Sequence, residues 1–197
     1  MSNAILIASC TNTKISQSWV DPGINRSYAH LLIIGVSEVE QTRRAYEDHF
    51  VEELGVRGVD AEASYKLIRS NKINRVTVSK AIQGKGIDTV LVTHMVAVDE
   101  EVVYRPSVDY IPVYGGGYFS GLYSYYPHVN SYVQSPGYYS MHKTYTIESN
   151  LYDVESEELV WSARTRTFSP ESVSAVIPEL TRLLIDDLSE KRLINKK

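Results

Sequence analysis

The spacing of apolar positions changes period several times along the chain, and each change marks an element. His30-Leu31-Leu32-Ile33-Ile34-Gly35-Val36-Ser37 is a short run rich in branched side chains, the pattern of a buried strand. Tyr46, Phe50 and Leu54 then recur every four residues, with Arg43, Arg44, Glu47, Asp48, Glu52 and Glu53 mostly on other faces. This predicts an amphipathic helix leaving through Gly55 and Gly58. Residues 59–66 alternate Val59, Ala61, Ala63, Tyr65 against Asp60, Glu62, Ser64, Lys66, as a half-buried strand does. A second helix is expected from Arg75 to Gln83, closed by Gly84-Lys85-Gly86. Residues 88–98 are apolar on both faces, which predicts a central strand.

The last third repeats the logic. Residues 143–153 and 158–168 alternate, with Tyr145, Ile147, Leu151 on one face of the first strand and Leu159, Trp161, Ala163 on one face of the second, and Asp153 to Glu157 join them as a hairpin turn. Ser169 and Pro170 suit the N-cap and first position of a closing helix whose stripe is Val173, Val176, Ile177, Leu180, Leu184 and Leu188. Pro178 is expected to kink or split it. Residues 11–29 are polar and aperiodic and read as a tether, with Trp19, Val20 and Tyr28 docking on the body and Asp21-Pro22-Gly23 as a turn.

The order predicts an α/β (α+β) fold, β-α-β-α-β-insertion-β-β-α, with a mixed sheet of about five strands and helices packed on it. Residues 30–192 form one domain, carrying an insertion over 104–142.

That insertion differs in material from the rest. Residues 104–145 hold 11 of 15 tyrosines, 5 of 11 glycines and 4 of 7 prolines, but three charged side chains, Arg105, Asp109 and Lys143. Gly115-Gly116-Gly117 and the prolines prevent a helix. A connection this long is usually functional or disordered. Tyrosine presents a flat apolar ring with a polar tip at low entropy cost. Tyr110, Tyr114, Tyr118, Tyr123, Tyr125, Tyr126, Tyr132, Tyr138 and Tyr139 are the candidate binding residues. Low charge and strand propensity also suit self-association along strand edges. Packing of these rings on the body or on each other is the plain structural alternative.

Composition narrows the classes. The chain has 197 residues, a net charge of −4 and one cysteine. Nucleic acid is not expected as a partner, because phosphate binding needs a concentrated basic field. No apolar run reaches the roughly 18 residues of a membrane-spanning helix. One thiol excludes an internal disulfide and any zinc site of several thiolates.

The thiol is Cys10, after Leu6-Ile7-Ala8-Ser9 and before a polar stretch beginning Thr11-Asn12-Thr13. This resembles the lipobox of bacterial lipoproteins, which implies a diacylglycerol on Cys10 and a membrane contact through that anchor alone. Thr11, in place of Asp, leans by the same resemblance towards the periplasmic face of the outer membrane. The apolar stretch before Cys10 is Ala4 to Ala8, so residues 1–10 read as a residual signal peptide or a tag remnant.

The remaining polar residues form no catalytic pattern. His30, His49, His94, His128 and His142 show no metal-ligand spacing, and no Gly-x-Ser-x-Gly elbow occurs. The triple glycine lacks the Lys-Ser/Thr of a phosphate loop. His94 reads as a hydrogen-bonded core histidine, Asp99-Glu100-Glu101 as a solvated strand end, Asp186-Asp187 as a polar helix face, and Arg164 with Arg166 as a solvent rim. No catalytic residue, metal or cofactor is expected.

Three stretches carry a wider resemblance: Phe50-Val51-Glu52-Glu53-Leu54 with the strand to Ser64-Tyr65; Gly86 to Thr93; and Leu151-Tyr152-Asp153 to Leu159-Val160-Trp161. Together, over about residues 30–190, they resemble small bacterial envelope lipoproteins similar in fold to the amino-terminal domain of TolB and the periplasmic domain of the curli secretion lipoprotein. The resemblance implies fold and compartment and supplies no active-site residues. The expected function is a non-enzymatic, anchored periplasmic protein that binds an envelope protein or assembles with itself through the insertion. The alternative is a glycan- or peptidoglycan-binding module using stacked tyrosines.

Overall fold

The computed structural model describes residues 12–68, 73–105 and 138–194. The chain divides into two compact units, one of residues 1–99 with 143–197 and one of residues 100–142. The elements are β1 (Asn12–Val20), β2 (His30–Val36), α1 (Glu40–Val56), β3 (Asp60–Ala63), α2 (Ser64–Leu67), α3 (Arg75–Ile82), β4 (Thr89–Arg105), β5 (Tyr138–Asp153), β6 (Leu159–Phe168) and α4 (Val173–Glu190). They form the mixed α/β arrangement that the periodicity predicts. The sheet has six strands in the order β1-β6-β5-β4-β2-β3. β2 is parallel to β3 and β4, while β6 is antiparallel to β1 and β5.

The sixth strand is β1, and it corrects the expected tether. Its residues are polar, but tertiary pairing supplies what periodicity lacks: Asn12 to Val20 run antiparallel to β6 from Phe168 to Trp161. Thr13 is buried there, its hydroxyl 3.0 Å from that of Thr167. An edge strand needs apolar residues on only one face, so a polar sequence can fill it.

The expected stripe of α1 packs on β2 and α4. It ends in a Schellman motif: Gly58 at φ 75° donates to the Gly55 carbonyl and Val59 to that of Leu54. β3 stops at Ala63, short of the expected Lys66, because Ser64 and Tyr65 turn off the sheet to bond Glu47 of α1. Ser64 Oγ donates to Glu47 Oε1 at 2.7 Å and the Tyr65 N–H to Oε2 at 2.9 Å.

The closing helix starts later than expected. The Ser169 N–H donates to the Lys143 carbonyl at 2.7 Å and the residue sits at φ 43°, so it is held by the sheet. Ser172 is the N-cap instead, accepting from the Ala175 N–H. Pro178 neither ends nor splits α4, which runs through to Glu190. Pro178 is exposed, while Val176, Ile177, Leu180, Leu184, Ile185 and Leu188 bury the opposite stripe. Packing of that stripe offsets the single bond that proline removes.

Two cores result. On one sheet face Tyr28, Leu31, Ile33, Leu91, Leu151 and Trp161 pack with Phe50 of α1 and Leu184 of α4. On the other, Leu32, Ile34, Ile87 and Val90 meet Val78 and Ile82 of α3. This second core covers β2 and β4, while Gln17, Trp19, Arg166 and Phe168 on that face of β1 and β6 are exposed.

Candidate functional site

Cys10 and Tyr110, Tyr114, Tyr118, Tyr123, Tyr125, Tyr126 and Tyr132 lie outside the described residues. Tyr138 opens β5 and Tyr139 follows it. In the second unit the Tyr139 ring, 73% exposed, lies against Tyr104, with centroids 5.0 Å apart and planes tilted by 51°. Residues two apart in a strand share a face, so Val102 joins Tyr104 and Met141 joins Tyr139. All four are exposed, an apolar stripe on two neighbouring strands. Beside it Ser140 Oγ donates to the Val103 carbonyl at 3.3 Å.

A second site lies on the open face of the six-stranded sheet, in the larger unit. Its origin is an irregularity in β1. Thr13 and Ile15 pair with Thr167 and Thr165, but the register shifts between Ile15 and Gln17. The bulge reverses the alternation. Ser18 and Val20 now take the core-side positions opposite Ala163 and Trp161, while Gln17 and Trp19 face out opposite Arg164 and Ser162. Ser16, the extra residue, is pinned by its hydroxyl to the Arg164 carbonyl at 3.0 Å.

Gln17, Ser18, Trp19, Glu148, Ser162 and Arg164 line a depression of about 210 Å³. Trp19 is 46% exposed along its rim. Arg164 Nη2 donates to Glu148 Oε2 at 2.6 Å, and Asn150 Nδ2 to Oε1 at 3.1 Å. Those two bonds, with the Arg164 and His94 charges, hold the Glu148 carboxyl below its ordinary range against a smaller opposing effect of burial. Arg164 Nε and Asn150 Oδ1 are buried without a hydrogen-bond partner among the described residues. Sequence reasoning placed Arg164 on a rim, expected Trp19 to dock on the body, where the structure leaves it exposed, and missed Gln17 and Glu148. No local pattern announces a bulge, and Trp19 lay in the presumed tether.

Other polar residues have structural work. Asp187 is not simply a polar helix face: it accepts from Trp161 Nε1 and Ser18 Oγ, each at 2.7 Å, and pairs with Lys191. Burial would raise its carboxyl, but bonds from Lys191, Ser18 and Trp161 hold it below the usual range. Asp153 orders the hairpin turn, accepting from the Glu155 and Ser156 N–H groups and from Tyr28 OH. Burial again pushes upward and these bonds prevail, so its carboxyl is lowered. His94 is half-buried on the open face rather than in the core. Asp99 lies within β4, not at a strand end, 3.7 Å from Arg166. Among the described residues no group of three or more His, Cys, Asp or Glu is placed to hold a metal ion. No described helix is long and apolar enough to cross a membrane.

No family profile matches the chain, and no curated protein matches it in sequence. Among solved structures it is similar to PelC dodecamers from Paraburkholderia phytofirmans. Two such structures have TM-scores of 0.47 and 0.46 at 12% and 15% identity, covering 95% and 94% of this chain and 100% and 99% of theirs. It is also similar to a lipoprotein from Neisseria meningitidis, with a TM-score of 0.42 at 13% identity, covering 82% of this chain and 99% of that one.

Proposed function

We propose that this chain is a non-enzymatic envelope protein, anchored through a lipid on Cys10 at the periplasmic face of the outer membrane. It binds a protein partner or a second copy of itself through the tyrosine-rich insertion. The TolB-like and curli-lipoprotein-like order of elements belongs to this reading. One observation carries it: the exposed stripe of Val102, Tyr104, Tyr139 and Met141 leads into a long segment almost without charge. Exposed apolar side chains on neighbouring strands are what an interaction surface presents before it is covered.

Size-exclusion chromatography with light scattering tests the reading. The chain from residue 11 onward is compared with a variant whose residues 106–140 are replaced by a short Gly/Ser linker. An oligomer that becomes a folded monomer in the variant supports self-assembly. Two folded monomers would remove self-assembly and leave an envelope partner. Pull-down from envelope extract with Tyr123, Tyr125 and Tyr126 changed to serine then decides: unchanged capture counts against the insertion.

A further inference from the structure

We infer that the depression on the open sheet face is a seat for one pyranose ring of an oligosaccharide, with Trp19 as its platform. This inference does not depend on the function proposed above. Three observations lead to it.

The first is the bulge. A regular β1 would keep Trp19 on the side of Thr13 and Ile15, against the core. The register shift between Ile15 and Gln17 carries both Gln17 and Trp19 to the solvent face instead. The indole is left 46% exposed, and bulges are a means of re-aiming side chains at sites.

The second is the chemistry of the lining. Around one aromatic ring stand the side chains of Gln17, Ser162, Glu148 and Arg164, with Asn150 opposite Ser162 in the next strand. That is one flat apolar surface amid many hydrogen-bonding groups. A pyranose matches it, with an apolar C–H face to lie on the ring and hydroxyls that both donate and accept. Gln17, Ser162 and the partly exposed Arg164–Glu148 pair supply the donors and acceptors. A phosphate or another anion fits less well, because Glu148 at 2.6 Å already neutralises Arg164. A hydrophobic peptide fits less well too, because among the described residues the lining has no second large apolar side chain.

The third is size. About 210 Å³ is below the roughly 300–1,000 Å³ of pockets that enclose whole drug-sized ligands. An open depression of that volume holds one ring of a chain that continues across the sheet face.

Intrinsic fluorescence reads the site directly, because the chain has two tryptophans and Trp161 is fully buried. The full chain is titrated with cellotetraose, chitotetraose and maltotetraose, and saturation-transfer NMR follows the sugar protons. The expected result is saturable binding of at least one of the three, with a shift in emission and protection of Trp19 from iodide quenching. Trp19→Ala should weaken that binding by about ten-fold or more. Gln17→Ala, on the same exposed face, should weaken it less. Circular dichroism and the remaining Trp161 emission show that each variant is folded. Absence of binding by all three oligosaccharides, or unchanged affinity in a folded Trp19→Ala variant, overturns the proposal.

Discussion

Glu47 has no solvent exposure and accepts four hydrogen bonds, from the Gly35 N–H, Arg43 Nε, Ser64 Oγ and the Tyr65 N–H. Arg43, 4% exposed, also donates from Nη2 to Ser64 Oγ at 2.8 Å. This buried pair joins α1 to the end of β2 and the start of α2. Periodicity placed both residues among the polar faces of α1, yet they lie on its buried stripe with Tyr46, Phe50 and Leu54. A charge inside a helix pattern signals solvent unless its partners are known, and here Gly35 and Ser64 come from other elements. Glu47→Ala should destabilise the fold by about 3–5 kcal/mol in urea denaturation, because it strands a buried guanidinium. Replacing Arg43 and Glu47 together by apolar residues of similar volume should recover much of that loss. Equal losses in the single and double variants would mean that packing, not the unpaired charge, dominates.

The elements α4 and β1 show how tertiary contacts move a boundary. Both Ser169 and Ser172 are acceptable caps by residue type. Ser169 is claimed by the Lys143 carbonyl, which leaves Ser172 to accept from Ala175. Ser172→Ala should therefore cost about 1 kcal/mol in thermal or urea unfolding. Ser169→Ala should fall outside that capping effect, and a larger loss there than at Ser172 would contradict the assignment. In β1, Thr13, Ser16 and Ser18 each bond groups more than a hundred residues away: Thr167, the Arg164 carbonyl and Asp187. Polar side chains that look like tether in the sequence are the strand's fastenings in the fold.

For the whole molecule, acid stability follows from its lowered carboxyls. Asp153, Asp187 and Glu148 all titrate below their ordinary values of 3.8, 3.8 and 4.5 when folded. A carboxyl with a lower folded pKa binds protons more readily in the unfolded chain. Its stabilisation is complete above the unfolded value and is lost as pH falls through the folded one. The melting temperature should hold steady near neutrality as far as these groups decide it, and drop below about pH 4. Asp187→Asn should lower the neutral melting temperature and flatten the acid limb, since Asp187 joins β1, β6 and α4 through Ser18, Trp161 and Lys191. An unchanged acid limb in Asp187→Asn would show that other carboxyls govern it.

The sequence by itself determined the order of the main elements from β2 onward, the mixed α/β class, the central place of β4 and the contrast between body and insertion. These are carried by local period and composition, which need no partner to be read. The tertiary structure decided the rest. It made a strand of residues 12–20, because β6 was there to pair with. It chose Ser172 over Ser169, buried Glu47 with Arg43, and set Asp187 beneath Trp161. Through one extra residue in β1 it turned Trp19 outward beside Arg164 and Glu148. Each of these outcomes depends on a group from a distant part of the chain, and a side chain's role is set by the partner that folding brings to it.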